Sequence, residues 1–322
     1  MKKISTIGLI VFLLSCNSTP SSDSNAPSGN IPAAQSGEQA GGDAYRFRLN
    51  PQDKSTYRYM LYNDSEITME VNSNETNSTN NAAAETSYTV NKDSTDNLIF
   101  SIRYDKITIH TKKGNTETYA DADNAALSTN PVDKMLAILK QADITAIVGL
   151  NGEVKNIKGY KELGDKMTAG FAANDIYGKN AARSQWEKLI GGNIFQGGID
   201  KLFNTLPDST VKPGDSWSAT SKQSGEIPVK IQSVFTLKKI ENNIAIIQSA
   251  GDIISVDAAP GNELANIKGD IKGTQKGTME LNIKTGMIIS NDVTTKIEGT
   301  IQSMGVDVPV SIKNVIRIRQ IK

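Results

Sequence analysis

Cysteine is nearly missing from this sequence: one occurs in 322 residues, at position 16. No disulfide can close within the chain, and no cysteine-based zinc site can be assembled. Histidine is equally scarce, His110 being the only one, so a Ser-His-Asp triad would have to recruit it. His110 follows Ile107 and Ile109 out of phase, which directs it to the solvent side of a strand. Aromatic residues make up 6%. The expected core is therefore aliphatic, and only Trp186 and Trp217 could supply tryptophan to a sugar-stacking groove. Neither charge dominates, since Lys+Arg and Asp+Glu are both 35 and the formal net charge is zero. A phosphate-backbone binder carries a basic excess or patch, so nucleic acid is not an expected partner. Long apolar runs are lacking as well. The stretch Ile4 to Leu14 falls short of the roughly 20 apolar residues that span a bilayer.

That stretch is nonetheless the strongest motif present. Met1-Lys2-Lys3, an apolar segment and Leu13-Leu14-Ser15-Cys16 follow the order basic, apolar, small of a secretory signal. The last four residues resemble the lipobox of bacterial lipoproteins. The resemblance implies diacylglyceryl transfer to the Cys16 sulfur, cleavage before Cys16 and acylation of the new amino group. Several chains are needed physically, because one acyl chain, at about 0.8 kcal/mol per buried methylene, anchors only marginally. The expected organisation is a signal peptide at 1–15, the lipid-anchor Cys16 with a disordered tether at 16–44, and a β-rich domain at 45–322 containing a helical segment at 131–206. Residues 17–44 are rich in Ser, Asn, Pro, Gly and Ala and cannot offset the entropy of ordering. A coil of that length spans about 30 Å. An Asp after the lipidated Cys would resemble an inner-membrane retention signal, and an acidic cluster there a surface-export signal. Asn17 stands there, with only Asp23 close. The expected location is the outer membrane, on the periplasmic face rather than the cell surface.

From Tyr45 the pattern alternates with period two. Tyr45, Phe47 and Leu49 oppose Arg46 and Arg48; Ile67, Met69 and Val71 repeat the pattern; Leu98, Phe100, Ile102 and Tyr104 slip one step before Ile107, predicting a bulge near Asp105-Lys106. Polar, low-complexity Asn72–Ala84 reads as a mobile loop. Asn130-Pro131 predicts a helix cap and first turn, with Val132, Met135, Leu136 and Leu139 on one stripe. A hairpin follows with Ile144, Ala146 and Val148 on one arm, turning at Asn151-Gly152 in a two-residue form that requires positive φ at both positions. Helical spacing returns at Leu163, Met167 and Phe171 and at Ile199, Leu202, Phe203 and Leu206. Pro213-Gly214 is a turn and Trp217 opens a strand. Val229, Ile231, Phe235 and Leu237 form a strand with a phase shift near Ser233-Val234. Residues 243–256, 267–283 and 287–301 read as strands, with Lys284-Thr285-Gly286 as a tip. The last strand alternates through Val308, Val310, Ile312, Asn314, Ile316 and Ile318.

Long strands with tight turns predict a mainly β fold: a curved antiparallel sheet, or partly open barrel, with the helical segment on its concave face. Two β subdomains at 45–130 and 208–322, bridged by a helical linker, fit the pattern equally well. Gly152-Glu153-Val154-Lys155-Asn156-Ile157-Lys158-Gly159, Val211-Lys212-Pro213-Gly214-Asp215-Ser216-Trp217, and Gly277-Thr278-Met279 with Lys284-Thr285-Gly286 resemble a family of Bacteroidota lipoproteins without an assigned activity. The helix-filled curved sheet is also similar, at fold level, to the half-barrel of periplasmic lipoprotein carriers.

Chemical motifs fail on context. Ser209-Thr210-Val211-Lys212 and Lys284-Thr285-Gly286 mimic the penicillin-binding set, but Ser209 follows Pro207 instead of starting a helix, and no S-D-N intervenes. Asp121, Asp123 and Asn124 imitate a calcium loop until Ala125-Ala126. Asp93-Ser94-Thr95 and Asp208-Ser209-Thr210 resemble the O-glycosylation triplets of Bacteroidota secreted proteins. No catalytic residue, metal ligand or cofactor is expected. The function expected is a non-enzymatic binding, carrier or structural role in the envelope, with a hydrophobic small molecule as the most specific ligand. Met135, Leu139, Phe171 and Phe203 would line its pocket if the helix stripes were more than ordinary core. A carboxylate-based glycan-processing hydrolase and an accessory subunit of an outer-membrane complex are the alternatives.

Overall fold

Alternation carried on long segments builds one sheet. The computed structural model describes residues 44–71, 73–92, 97–168, 206–223, 227–256, 268–303 and 306–322, with Ile176, Lys179, Asn180 and Phe203. Its strands are β1 (Thr56–Val71), β2 (Asn74–Lys92), β3 (Asn97–Lys113), β4 (Thr116–Asp121), β5 (Ile144–Gly149), β6 (Val154–Lys158), β7 (Ser216–Gln223), β8 (Val229–Glu241), β9 (Ile244–Ser255), β10 (Lys268–Asn282), β11 (Ile288–Ser303) and β12 (Val306–Ile321). The helices α1 (Pro131–Lys140) and α2 (Tyr160–Thr168) interrupt the series. All twelve strands lie in one antiparallel sheet, ordered β6-β5-β3-β2-β1-β12-β11-β10-β9-β8-β7, with β4 paired to β3.

β7 to β12 are an up-and-down meander, and β1 joins it by pairing with β12 from Arg58↔Ile321 to Met69↔Val310. The two halves of the chain therefore share one sheet, which decides against two β subdomains. The order is that of an up-and-down barrel lacking one pairing: β6 and β7 are the ends of the path, and the sheet stays open between them.

Inward side chains gather in two apolar clusters. The larger holds Tyr59, Tyr88, Phe100, Ile144, Leu237, Ile247, Leu281 and Ile318 from the strands, and Met135, Leu136, Leu139, Leu163 and Phe203 from the helical segment. The helices thus pack on the inner face, because their stripes are the apolar surface available to cover it. Asn130 caps α1, its side chain accepting from the Val132 amide at 3.0 Å, and Pro131 opens the helix. The second cluster, Ile67, Val229, Ile231, Ile253, Ile271, Ile297, Ile301, Val308 and Val310, is built by strands alone.

The bulge is at Asp105: Glu85 pairs with Lys106 while Thr86 pairs with Tyr104. Ser87 donates a hydrogen bond to the Asp105 carboxylate, which also accepts from Arg103 Nε at 2.6 Å. Four expectations need correction. Within the expected loop Asn72–Ala84, residues from Asn74 onward belong to β2, whose polar side chains are tolerated because the β1 ladder, joined from Ser78 onward by the β3 ladder, satisfies the backbone. Tyr45–Leu49 buries Phe47 and Leu49 as its alternation requires, but it is an extended segment rather than a strand of the sheet, held by a bridge from Tyr45 to Val211 and by the Leu49 amide donating to the Leu150 carbonyl at 2.8 Å. β8 has no phase shift at Ser233-Val234; Val229, Ile231, Ser233 and Leu237 are buried in phase, and the register shifts instead between Leu237 and Lys239. At Asn151-Gly152 only the glycine has positive φ, +88°. Gly152 N–H donates to the Gly149 carbonyl and Gly149 N–H to that of Glu153, so the turn is a three-residue loop closed by a glycine bulge.

Candidate functional site

Three of the four residues expected to line a pocket come together. Met135, Leu139 and Phe203 are buried in the larger cluster. The Phe203 ring lies 4.5 Å from that of Phe100 and meets Tyr88 edge-on at 6.2 Å. Phe171, Cys16 and Trp186 lie outside the described residues, as does the Met167 side chain. Burial raises the phenol pKa of Tyr59, Tyr88 and Tyr104, so all three stay neutral; Tyr59 donates its hydroxyl proton to the Ile288 carbonyl at 2.9 Å.

Between the two apolar clusters the inner face becomes polar, and the register aligns those residues on one rung. Ser65 pairs with Asn314, Asn314 with Thr295, Thr295 with Gln275, Gln275 with Gly251 and Gly251 with Ser233. In the other direction Ser65 pairs with Asn80 and Asn80 with Thr111. Ser65 Oγ donates to Asn314 Oδ1 at 2.8 Å, Thr111 Oγ1 to Asn80 Oδ1 at 3.2 Å, and Gln275 Nε2 to Ser233 Oγ at 2.7 Å. The last bond crosses β9 over Gly251, where an added Cβ would stand 3.1 Å from Ser233 Oγ and 3.2 Å from Gln275 Cγ.

The rung is incompletely satisfied. Asn314 is 1% exposed and its Nδ2 has no partner; Asn63, one inward position before Ser65, is 0% exposed and neither amide atom has one. A buried polar group left unpaired costs about 1–3 kcal/mol. Beside Asn63 the inner face of β2 carries small or polar half-buried side chains, Ser78, Asn80, Ala82 and Ala84, so the amides adjoin an incompletely covered wall. This belt contains no charged side chain; it offers neutral donors and acceptors between two apolar regions. Of the belt, the sequence pattern singled out only Asn314, as a position on an apolar face, and Ser233, as the place of an expected phase shift. The rung itself requires knowing which strands are neighbours.

The remaining motifs keep their structural roles. His110 is half-exposed, with Nε2 3.7 Å from Glu117 Oε2. A hydrogen bond from Lys112 is the main cause lowering the Glu117 pKa. Asp121 caps the turn Ala122–Asn124 by accepting from the Asp123 amide, and Asp123 pairs with Lys140. Lys284-Thr285-Gly286 is the β10–β11 tip, with the Lys284 and Thr285 amides donating to Asn282 Oδ1. Among the described residues no group of three or more His, Cys, Asp or Glu could hold a metal ion.

A family model matches residues 95–288, which run from the start of β3 into β11. This chain belongs to the family of unknown function DUF6263. No curated protein matches it. Among solved structures, the DUF6263 chain is similar to the translocator domain of autotransporter NalP from Neisseria meningitidis, at 7% identity and a TM-score of 0.32, covering 85% of this chain and 91% of that one. It is also similar to an outer membrane channel from Pseudomonas putida F1, at 7% identity and a TM-score of 0.26, covering 85% and 97%. The side chains run opposite to those of a transmembrane barrel, which presents an apolar band outward. Here the apolar clusters point inward while Arg58, Glu66, Lys296, Lys313 and Glu298 stand exposed outside. No helix among the described residues is long and apolar enough to cross a membrane.

Proposed function

We propose that this DUF6263 chain is an envelope lipoprotein, tethered through Cys16 and residues 17–44, that binds an amphiphilic small molecule on the inner face of its sheet without transforming it. The lipobox-like Leu13-Leu14-Ser15-Cys16 supports the tether, and Asn17 with only Asp23 close by, in place of an Asp or an acidic cluster after Cys16, supports the periplasmic face of an outer membrane. The observation carrying the binding role is the pair of buried asparagines, Asn63 and Asn314, whose unpartnered amide atoms sit between two apolar clusters. A ligand with a hydroxyl, ester or amide at one point and hydrocarbon elsewhere matches that sequence of surfaces. Its polar group satisfies the amides, and its chain follows apolar side chains.

The test uses the purified full-length chain, a fluorescent fatty-acid probe, and monoacylglycerol and lysolipid competitors. Saturable binding is expected, with affinity falling about tenfold in Asn63→Leu/Asn314→Leu, the loss of one or two hydrogen bonds. The thermal midpoint of the ligand-free Asn63→Leu single variant should not fall, because neither Asn63 amide atom has a partner to lose, whereas Asn314→Leu also takes the acceptor from the Ser65 hydroxyl. Probe binding that survives both substitutions, or fails with every amphiphile, would refute the reading.

A further inference from the structure

The outer face carries a second concavity, separate from the inner belt. A groove of about 810 Å³ crosses β8 to β11, with Thr236, Gln248, Lys276, Thr278, Thr294 and Lys296 among its lining residues. Its floor is low at Ala250, whose methyl lies between taller side chains.

The charges in this groove are unbalanced. Lys276 pairs in register with Thr294, and Lys296 follows two residues later on the same strand. The two lysines are thus diagonal neighbours on adjacent strands, with backbones about 7–8 Å apart. That separation is no more than the screening length of about 8 Å at physiological salt, so each ammonium feels the other. No ion pair ties either lysine to a carboxylate among the described residues. Three cations elsewhere on the same outer face are paired: Lys313 with Glu66, Arg317 with Asp64, and Arg319 with Asp292. The one acidic side chain lining the groove, Asp292, is therefore already engaged by Arg319.

We propose that this groove is a binding site for a phosphate ester carrying hydroxyl groups. A phosphate monoester bears about −1.5 to −2 charges at neutral pH, which matches two lysines, and lysine serves phosphate as a point charge. Thr236, Thr278, Thr294 and Gln248 supply donors and acceptors for neighbouring hydroxyls. Such a ligand could be a lipid headgroup or a sugar phosphate, and the chemistry recognised is the same.

The experiment is calorimetric titration of the purified full-length chain with inorganic phosphate, glycerol 3-phosphate and glucose 1-phosphate, repeated with Lys276→Gln/Lys296→Gln and with Lys239→Gln. Lys239 is exposed and paired with Glu241 outside the groove. Saturable binding of at least one phosphate is expected, weakening with salt, reduced tenfold or more in the double variant and unchanged in Lys239→Gln. Preference for glycerol 3-phosphate points to a headgroup, and preference for glucose 1-phosphate to a glycan. Circular dichroism checks each fold; should the double variant not fold, the single variants take its place. Absence of saturable binding to all three phosphates, or binding that persists without the lysines, overturns the proposal.

Discussion

Gly152 shows how much one hydrogen atom in place of a methyl can decide. Its φ of +88° puts it in the left-handed region, and an added Cβ would stand 2.0 Å from the Phe203 carbonyl oxygen. Left-handed backbone costs an L-residue about 1–2 kcal/mol, and a contact that short forces the backbone near Phe203 to move. Since Phe203 sits against Phe100 and Tyr88, the disturbance reaches the core. Gly152→Val should therefore destabilise by more than about 2 kcal/mol, lowering the thermal midpoint by roughly 4 °C or more for a domain of this size. An unchanged midpoint would mean that the loop and Phe203 are not in contact.

Among elements, the β8–β9 hairpin turns tightly. Glu241 pairs with Ile244, and the two residues between them, Asn242 and Asn243, have φ of +50° and +63°. This is the two-residue form with both central residues left-handed, the geometry expected of Asn151-Gly152 and found here instead. Glycine is the best occupant of the second position, so Asn243→Gly should leave stability equal or raise it by up to about 1 kcal/mol, and Asn243→Val should lower it by about 1–2 kcal/mol. Urea midpoints of the two variants check the sign. The comparison shows what periodicity could reveal. The α1 cap at Asn130, the bulge at Asp105 and the stripe of Met135, Leu136 and Leu139 were legible because each depends on a few adjacent residues. Polar β2 was not, since what makes Asn74–Ala84 a strand is hydrogen bonding to β1 and β3. The inner rung was illegible for the same reason: Ser65 and Asn314 are 249 positions apart, and nothing local links them.

On the scale of the whole molecule, the proposed anchor at Cys16 precedes the described part of the sheet in sequence; among the described residues, Tyr45 bridges to Val211. Cys16→Ala should accordingly move the protein from the membrane to the soluble fraction with no change in circular dichroism. Palmitate incorporation that persists in the variant would contradict lipidation at Cys16. The open ends of the sheet, β6 and β7, flank the part of the chain that includes α2 and Phe203, so the helical segment falls in sequence where a closed barrel would have its last pairing. The sequence allowed one sheet or two subdomains, and the β1–β12 pairing is the contact that decided between them.

That pairing also orders the molecule in time. A ribosome delivers β1 well before β12, yet the two share a ladder from Arg58↔Ile321 to Met69↔Val310. Until β12 arrives, β1 keeps one bare edge, and the apolar side chains it shares with β12 have no lid. Contacts between such distant parts form late, because closing so long a loop must precede any gain from the contact. The nascent chain therefore cannot reach its final state piecemeal. The β1–β12 ladder is accordingly among the last parts of the sheet to form, after the hairpins on either side of it have closed their short loops.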